Sequence, residues 1–231
     1  VFELNYGNDV LNGIGTCGLW ATKDKDHQKR PNVTLRLTVR VQPESLITTL
    51  TIINTGNINL SDLQALFHTY YAVHGSAALD PNSCAVLSGL DGYSVTDQLV
   101  DTDATTTVFH PANTPITITG EVDRVYTPPN NSDNHNNNNN DKSVQLSLAT
   151  GNDGSKINLK VEAFTTGGIQ LPISIVVWNP HAGKAKTMSD FGDDEYHDMI
   201  CVEPGILSNV PALEPKEQIE FTQTITSVYK E

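Results

Sequence analysis

This sequence is poor in positive charge, in cysteine and in aromatic side chains, and it contains no long apolar run. Fourteen lysines and arginines stand against 27 aspartates and glutamates, a formal net charge of -13. Such an acidic surface repels nucleic acid and anionic membranes, so neither is expected as a partner. It also repels a phosphorylated ligand, whose phosphate would need a local cationic pocket working against the field. The three cysteines, Cys17, Cys84 and Cys201, are an odd, sparse set without metal-ligand spacing. They read as reduced thiols of a cytoplasmic protein rather than as a disulfide scaffold. No run approaches the ~18 apolar residues that a membrane helix needs, and the opening VFELNYGNDV lacks the charged and apolar regions of a signal peptide. Two N-x-S/T patterns, at Asn32 and Asn130, are short enough to arise by chance and do not change the expectation of a soluble protein.

What remains is strand. TLRLTVRV at 34–41 alternates with period two, and LITTLTIIN at 46–54 follows across Pro43 and Glu44, which reads as a hairpin. Further β-branched runs lie at 1–4, 65–73, 105–109, 116–119, 121–126, 144–149, 157–164, 173–178 and 219–228, bounded by Gly, Pro, Asn or Asp. No stretch holds a helical period. The nearest, 185–191, is short and polar. The expectation is an all-β fold, a sandwich of antiparallel sheets forming a single domain over 1–231. PPNNSDNHNNNNND at 128–141 has almost no apolar side chain with which to repay the entropy of ordering, so it reads as a mobile surface insertion. The polar stretch 22–31 reads as a solvated hairpin loop.

Polar residues that interrupt apolar strands are the candidates for chemistry. His68 lies in L-F-H-T-Y-Y, where alternation puts it on one strand face with Tyr70, while Phe67, Thr69 and Tyr71 share the other. A strand histidine on its own is more often a hydrogen-bonded structural residue than a catalyst. Glu203 ends the apolar run M-I-C-V-E and is followed by Pro204 and Gly205, which suggests a carboxylate held at a strand tip by a stiff turn. Burial there would raise its pKa, whereas exposure beside donors would hold it ionised. Asp123, in G-E-V-D-R-V-Y, shares a strand face with Glu121 and Val125; an ordinary ion pair is the plainer use for it.

Three separated segments, LFHTYY at 66–71, EVDRVY at 121–126 and IVVWNPHAGKAKTMSDFGDDEYHDMICVEPG at 175–205, resemble in wording and order the glucose-6-phosphate 1-epimerases, or hexose-6-phosphate mutarotases, of the galactose mutarotase-like superfamily. That resemblance implies a large antiparallel β-sandwich of the galactose mutarotase-like (supersandwich) type and interconversion of the anomers of a hexose 6-phosphate. It implies His68 as general acid, Glu203 as base, Asp123 as a ligand of substrate hydroxyls and Tyr70 as a wall of the sugar pocket. It implies no metal or organic cofactor and a small-molecule hexose phosphate as partner; a monomer is expected. A noncatalytic sugar-binding protein or an epimerase of a plain aldose on the same fold are the alternatives. The resemblance covers most of the chain but not the family's N-terminal motifs, where most of its phosphate-gripping arginines lie. Near the matched motifs the cations are Arg124, Lys184 and Lys186, and His181 stands where the family often has tryptophan.

Other patterns fail on context. Gly13-Ile-Gly15-Thr-Cys-Gly18 fits G-x-G-x-x-G but is followed by no helical period. Asp190-Phe191-Gly192 lacks every accompanying kinase motif. Asp190, Asp193, Asp194 and Glu195 depart from calcium-loop spacing and read as a polar loop facing Lys184 and Lys186. The seven histidines show no zinc pairing.

Overall fold

The computed structural model describes residues 1–6, 32–73, 85–100, 107–129, 143–150 and 154–228, and among them the fold is all-β: two antiparallel sheets with one short helix. The Asn-rich stretch beyond Pro129, the glycine pattern at Gly13, the 22–31 loop, Cys17 and Cys84 lie outside the described residues.

The first sheet runs β1 (Phe2–Tyr6), β2 (Val33–Val41), β3 (Ser45–Asn54), β14 (Gln218–Val228), β11 (Lys156–Thr165), β10 (Val144–Ala149) and β6 (Val86–Ser88). The hairpin read from the sequence is present: β2 and β3 pair from Val33↔Asn54 to Val41↔Leu46. The second sheet runs β4 (Ala65–Leu66), β13 (Met199–Ile206), β12 (Ser174–Asn179), β9 (Val122–Thr127), β7 (Ser94–Asp97) and β8 (Val108–Phe109), and β5 (Tyr70–Ala72) also pairs with β13. A helix α1 (His181–Ala185) and a 3-10 turn (Glu195–Asp198) follow β12. Strands β6 and β7 are too short and too mixed to have stood out in the sequence, and 116–119 contributes one bridge, Leu87↔Ile116, rather than a strand.

Period-two alternation lays one apolar row of each strand against the other sheet. Leu146, Leu148, Leu159, Val161, Ile219 and Phe221 of the first sheet, and Ile175, Val177, Ile200, Val202 and Tyr126 of the second, are buried in one apolar cluster. Each such side chain removed from water is worth about 1.5–3 kcal/mol. Two contacts tie the sheets where the candidate residues sit. Phe67 stacks on Phe221 with ring centroids 4.5 Å apart, and Gln223 Nε2 donates to the Tyr71 hydroxyl at 3.2 Å. With Phe67 and Tyr71 pinned inward, alternation sends His68 and Tyr70 outward.

Candidate active site

Register decides which residues meet. β13 pairs with β5 through Cys201↔Tyr70 and with β4 through Gly205↔Leu66, the same register on both sides of the gap at 67–69. His68 therefore stands across from Glu203. On the other flank β12 sets Val176 beside Glu203 and Trp178 beside Cys201, and β9 sets Asp123 beside Trp178. Tyr70, Cys201, Trp178 and Asp123 form one cross-strand row, and His68 and Glu203 begin the next, two residues along and on the same face. That face points away from the core.

Glu203 is not at a strand tip, contrary to the sequence expectation, because β13 continues through Pro204 and Gly205 to Ile206. The proline is accommodated where its missing N–H costs a single ladder bond: Phe67 N–H donates to the Pro204 carbonyl at 2.9 Å, no bond can return, and the partner strand breaks there into β4 and β5. Gly205 allows the close approach of β4, since a Cβ on it would lie 2.9 Å from Leu66 Cβ. The break frees the backbone around His68 without losing register.

His68 Nε2 lies 3.4 Å from Glu203 Oε1; the histidine side chain is 50% exposed and the glutamate 6%. Burial raises the pKa of Glu203, assisted by the negative charge of Asp123 and opposed by the Cys201 thiol and by positive charge on His68. Of the two outcomes left open by the sequence, burial prevails. The Cys201 thiol donates to the Thr69 carbonyl at 3.1 Å, and its Sγ lies 3.3 Å from His68 Nδ1. Burial, then Glu203, raises the thiol's pKa, so it stays protonated. Asp123 is half-buried, and its pKa is raised by burial and by Asp97 and lowered by Lys184. The plainer use considered for it goes to a neighbour, because Arg124 Nε binds Asp97 Oδ2 at 2.9 Å on the other face of the sheet. That leaves Arg124 turned from the site and, among the described residues, Lys184 as the cation that Asp123 feels.

An aromatic wall encloses one side. Tyr70 stacks on His68 with centroids 5.0 Å apart, Trp178 meets Tyr70 edge-on at 6.0 Å, and Phe191 lies 6.4 Å from Tyr70 and 6.3 Å from Trp178. The loop carrying Phe191 and Lys184 is fastened by Asn179, whose fully buried amide donates to the carbonyls of Tyr196 and Met199 at 2.9 and 3.0 Å and whose oxygen accepts from His181 N–H at 2.9 Å. His181, at φ 51, occupies a left-handed turn that this bond supports. Glu195 closes its own turn by accepting from Gly192 N–H at 3.1 Å.

Against known proteins, the family model for aldose 1-epimerase matches residues 22–226. The chain belongs to the aldose 1-epimerase family. A 43-residue stretch, 19% of this chain and 13% of the other, is 54% identical to a Cenchrus ciliaris protein provisionally named glucose-6-phosphate 1-epimerase. Two solved structures share the fold: a protein of Escherichia coli K12 provisionally described as an aldose 1-epimerase (TM-score 0.56, 14% identity, 87% of this chain and 61% of that one), and one of Salmonella typhimurium provisionally described as a mutarotase (TM-score 0.54, 18% identity, 91% and 65%). This member of the aldose 1-epimerase family thus spans less than two thirds of either structure.

All four residues singled out in the sequence, His68, Glu203, Asp123 and Tyr70, fall on this one face. Cys201, Trp178, Phe191 and Asn179 were not singled out. Counting back two from Glu203 reaches Cys201, but only the β12 register brings Trp178 to it, and Phe191 arrives from a loop without periodicity. A hollow of about 420 Å³ on the outward face of the other sheet, lined by Ser88, Gln145, Ser147, Asn158, Lys160 and Thr224 among others, contains no buried acid or base, and chemistry favours the His68–Glu203 face over it.

Proposed function

We propose that this protein interconverts the α and β anomers of a hexose by opening and reclosing its ring, with Glu203 as base, His68 as acid, Asp123 holding substrate hydroxyls and Tyr70 lining the pocket. The observation that carries this reading is the 3.4 Å approach of Glu203 Oε1 to His68 Nε2 on an open, aromatic-walled face. The ring oxygen and the anomeric hydroxyl share one carbon, so a base for one and an acid for the other must lie side by side. Glu203 takes the hydroxyl proton, the released electron pair forms the aldehyde C=O, the C1–O bond of the ring breaks, and the departing ring oxygen takes a proton from His68. Rotation about C1–C2 and reclosure with the roles exchanged give the other anomer. Burial makes Glu203 a stronger base than an ordinary carboxylate. Tyr70, Trp178 and Phe191 offer flat apolar surface to the sugar's C–H faces.

The finer reading is a hexose 6-phosphate as substrate, acted on by a cytoplasmic monomer without a cofactor. The phosphate is supported by the 43-residue match and by Lys184, whose positive charge reaches Asp123. The deciding experiment is anomer exchange of glucose 6-phosphate, and of glucose in a second arm, followed by proton NMR with wild-type protein and with Glu203→Gln. Acceleration lost in the variant supports the assignment. Sugar-induced thermal stabilisation without acceleration would replace it with a noncatalytic sugar-binding protein, and equal acceleration of both sugars would remove the phosphate.

A further inference from the structure

The His68 imidazole, the Cys201 thiol and the Glu203 carboxylate do more than face a sugar. One ligand atom from each lies within 4.8 Å of the other two. Nitrogen, sulfur and oxygen donors of this kind, three from the protein with a fourth position open, are the ligand set of a tetrahedral zinc-type site. At ordinary Zn–S, Zn–N and Zn–O lengths, tetrahedral neighbours are separated by about 3.4–3.6 Å. Cys201 Sγ already lies 3.3 Å from His68 Nδ1, and His68 Nε2 lies 3.4 Å from Glu203 Oε1. An imidazole binds one ion through one nitrogen, so one of these two distances serves as an edge of the site, and the two remaining edges, each within 4.8 Å, close toward that length as the ion binds. Two donors, Cys201 and Glu203, sit on one strand at alternate positions that the β13 ladder fixes, and the half-exposed ring of His68 is the member that a cation in solution meets first.

We propose that His68, Cys201 and Glu203 form a binding site for a thiophilic divalent cation such as Zn²⁺ or Cd²⁺, and that its occupation shuts the site down rather than serving as a cofactor. Binding displaces the thiol proton, which leaves to solvent as the Cys201 sulfur becomes a metal-bound thiolate, so binding tightens as pH rises. The bound ion takes up the imidazole and the carboxylate of the proposed acid and base. The inhibitory half rests on the acid and base roles given above, whereas the binding half stands without them.

The test uses Cd²⁺ alone on the full chain in a Cys17→Ser/Cys84→Ser background, where Cys201 is the single thiol, and reads thiolate-to-cadmium charge-transfer absorption. The expected result is a one-to-one titration that loses its band in Cys201→Ser and weakens at least tenfold in both His68→Asn and Glu203→Gln, with circular dichroism confirming that each variant is folded. Zn²⁺ should compete the band away, and anomer exchange should fall in step with occupancy. A folded protein without a band, or a band untouched by His68→Asn and Glu203→Gln, overturns the site. A three-ligand band in a protein that exchanges no anomers leaves the metal site standing and removes the epimerase reading instead.

Discussion

The outward faces of the two sheets are built from the same antiparallel ladder yet hold opposite chemistry. On the first sheet, Thr38, Thr49, Thr222 and Glu162 form one cross-strand row and Arg40, Ile47, Thr224, Lys160 and Gln145 the next. Its polar groups meet one another: Thr49 and Thr222 hydroxyls lie 3.0 Å apart, and Lys160 Nζ lies 2.9 Å from Glu162. On the second, the loop fastened by Asn179 lays Phe191 against the aromatic wall, and Glu203 and Cys201 are withdrawn from water beside an exposed histidine. What separates the two is desolvation rather than polarity. Desolvation disfavours the charged form of a carboxylate, and burial raises the pKa of Glu203.

The sharpest way to break that contrast is to neutralise Glu203, the proposed base. Glu203→Gln is expected to slow anomer exchange by about 10²- to 10⁴-fold and His68→Asn by a similar factor, measured by proton exchange NMR; losses of tenfold or less in both would undo the roles. Next is the fastening of the loop. Asn179→Ala strands the carbonyls of Tyr196 and Met199 and should cost about 3 kcal/mol in urea unfolding, whereas a change within experimental error would show that water replaces the amide. Trp178→Ala thins the aromatic wall and should raise KM for the sugar about tenfold with a smaller effect on kcat.

The pH dependence sharpens the same point. Burial raises the pKa of Glu203 in the folded protein, so the folded state holds a proton that the unfolded chain has already released. That contribution to stability is fully present below the ordinary carboxylate pKa of about 4.3 and is lost as pH rises through the folded value. Glu203→Gln should therefore gain stability relative to wild type between acid and neutral pH, and the acid limb of kcat/KM should sit above the ordinary carboxylate range. A difference in melting temperature that does not change with pH would count against desolvation as the cause. The smallest effect belongs to the first sheet: Lys160→Met should change stability by no more than about 0.5 kcal/mol and leave exchange untouched.

Much of this was legible before the fold was known, because alternation is a local property. β2, β3, β10 and β14 follow from period two and turn residues, and the outward pairing of His68 with Tyr70 follows from the same rule. The resemblance carried by LFHTYY, EVDRVY and MICVEPG named four residues that the fold brings to one face. Three things resisted. Pro204-Gly205 reads locally as a turn, yet strand pairing on both flanks of β13 carries the strand straight through it. Arg124 and Asp123 are neighbours in sequence, and only the strand's facing tells which one can reach the site. Cys201 read only as a reduced thiol without metal-ligand spacing, because the histidine it meets lies far away along the chain.

By itself the sequence determined the class of the fold, the acidic field and which side chains could carry proton chemistry, since these depend on composition and on spacing within single strands. Only the tertiary structure decided that Glu203 is buried mid-strand opposite His68, that Asn179 fastens the loop that lays Phe191 against Tyr70 and Trp178, and that a thiol joins His68 and Glu203 in a three-donor set. Burial and cross-strand register depend on partners distant along the chain, and no window of sequence contains both members of such a pair.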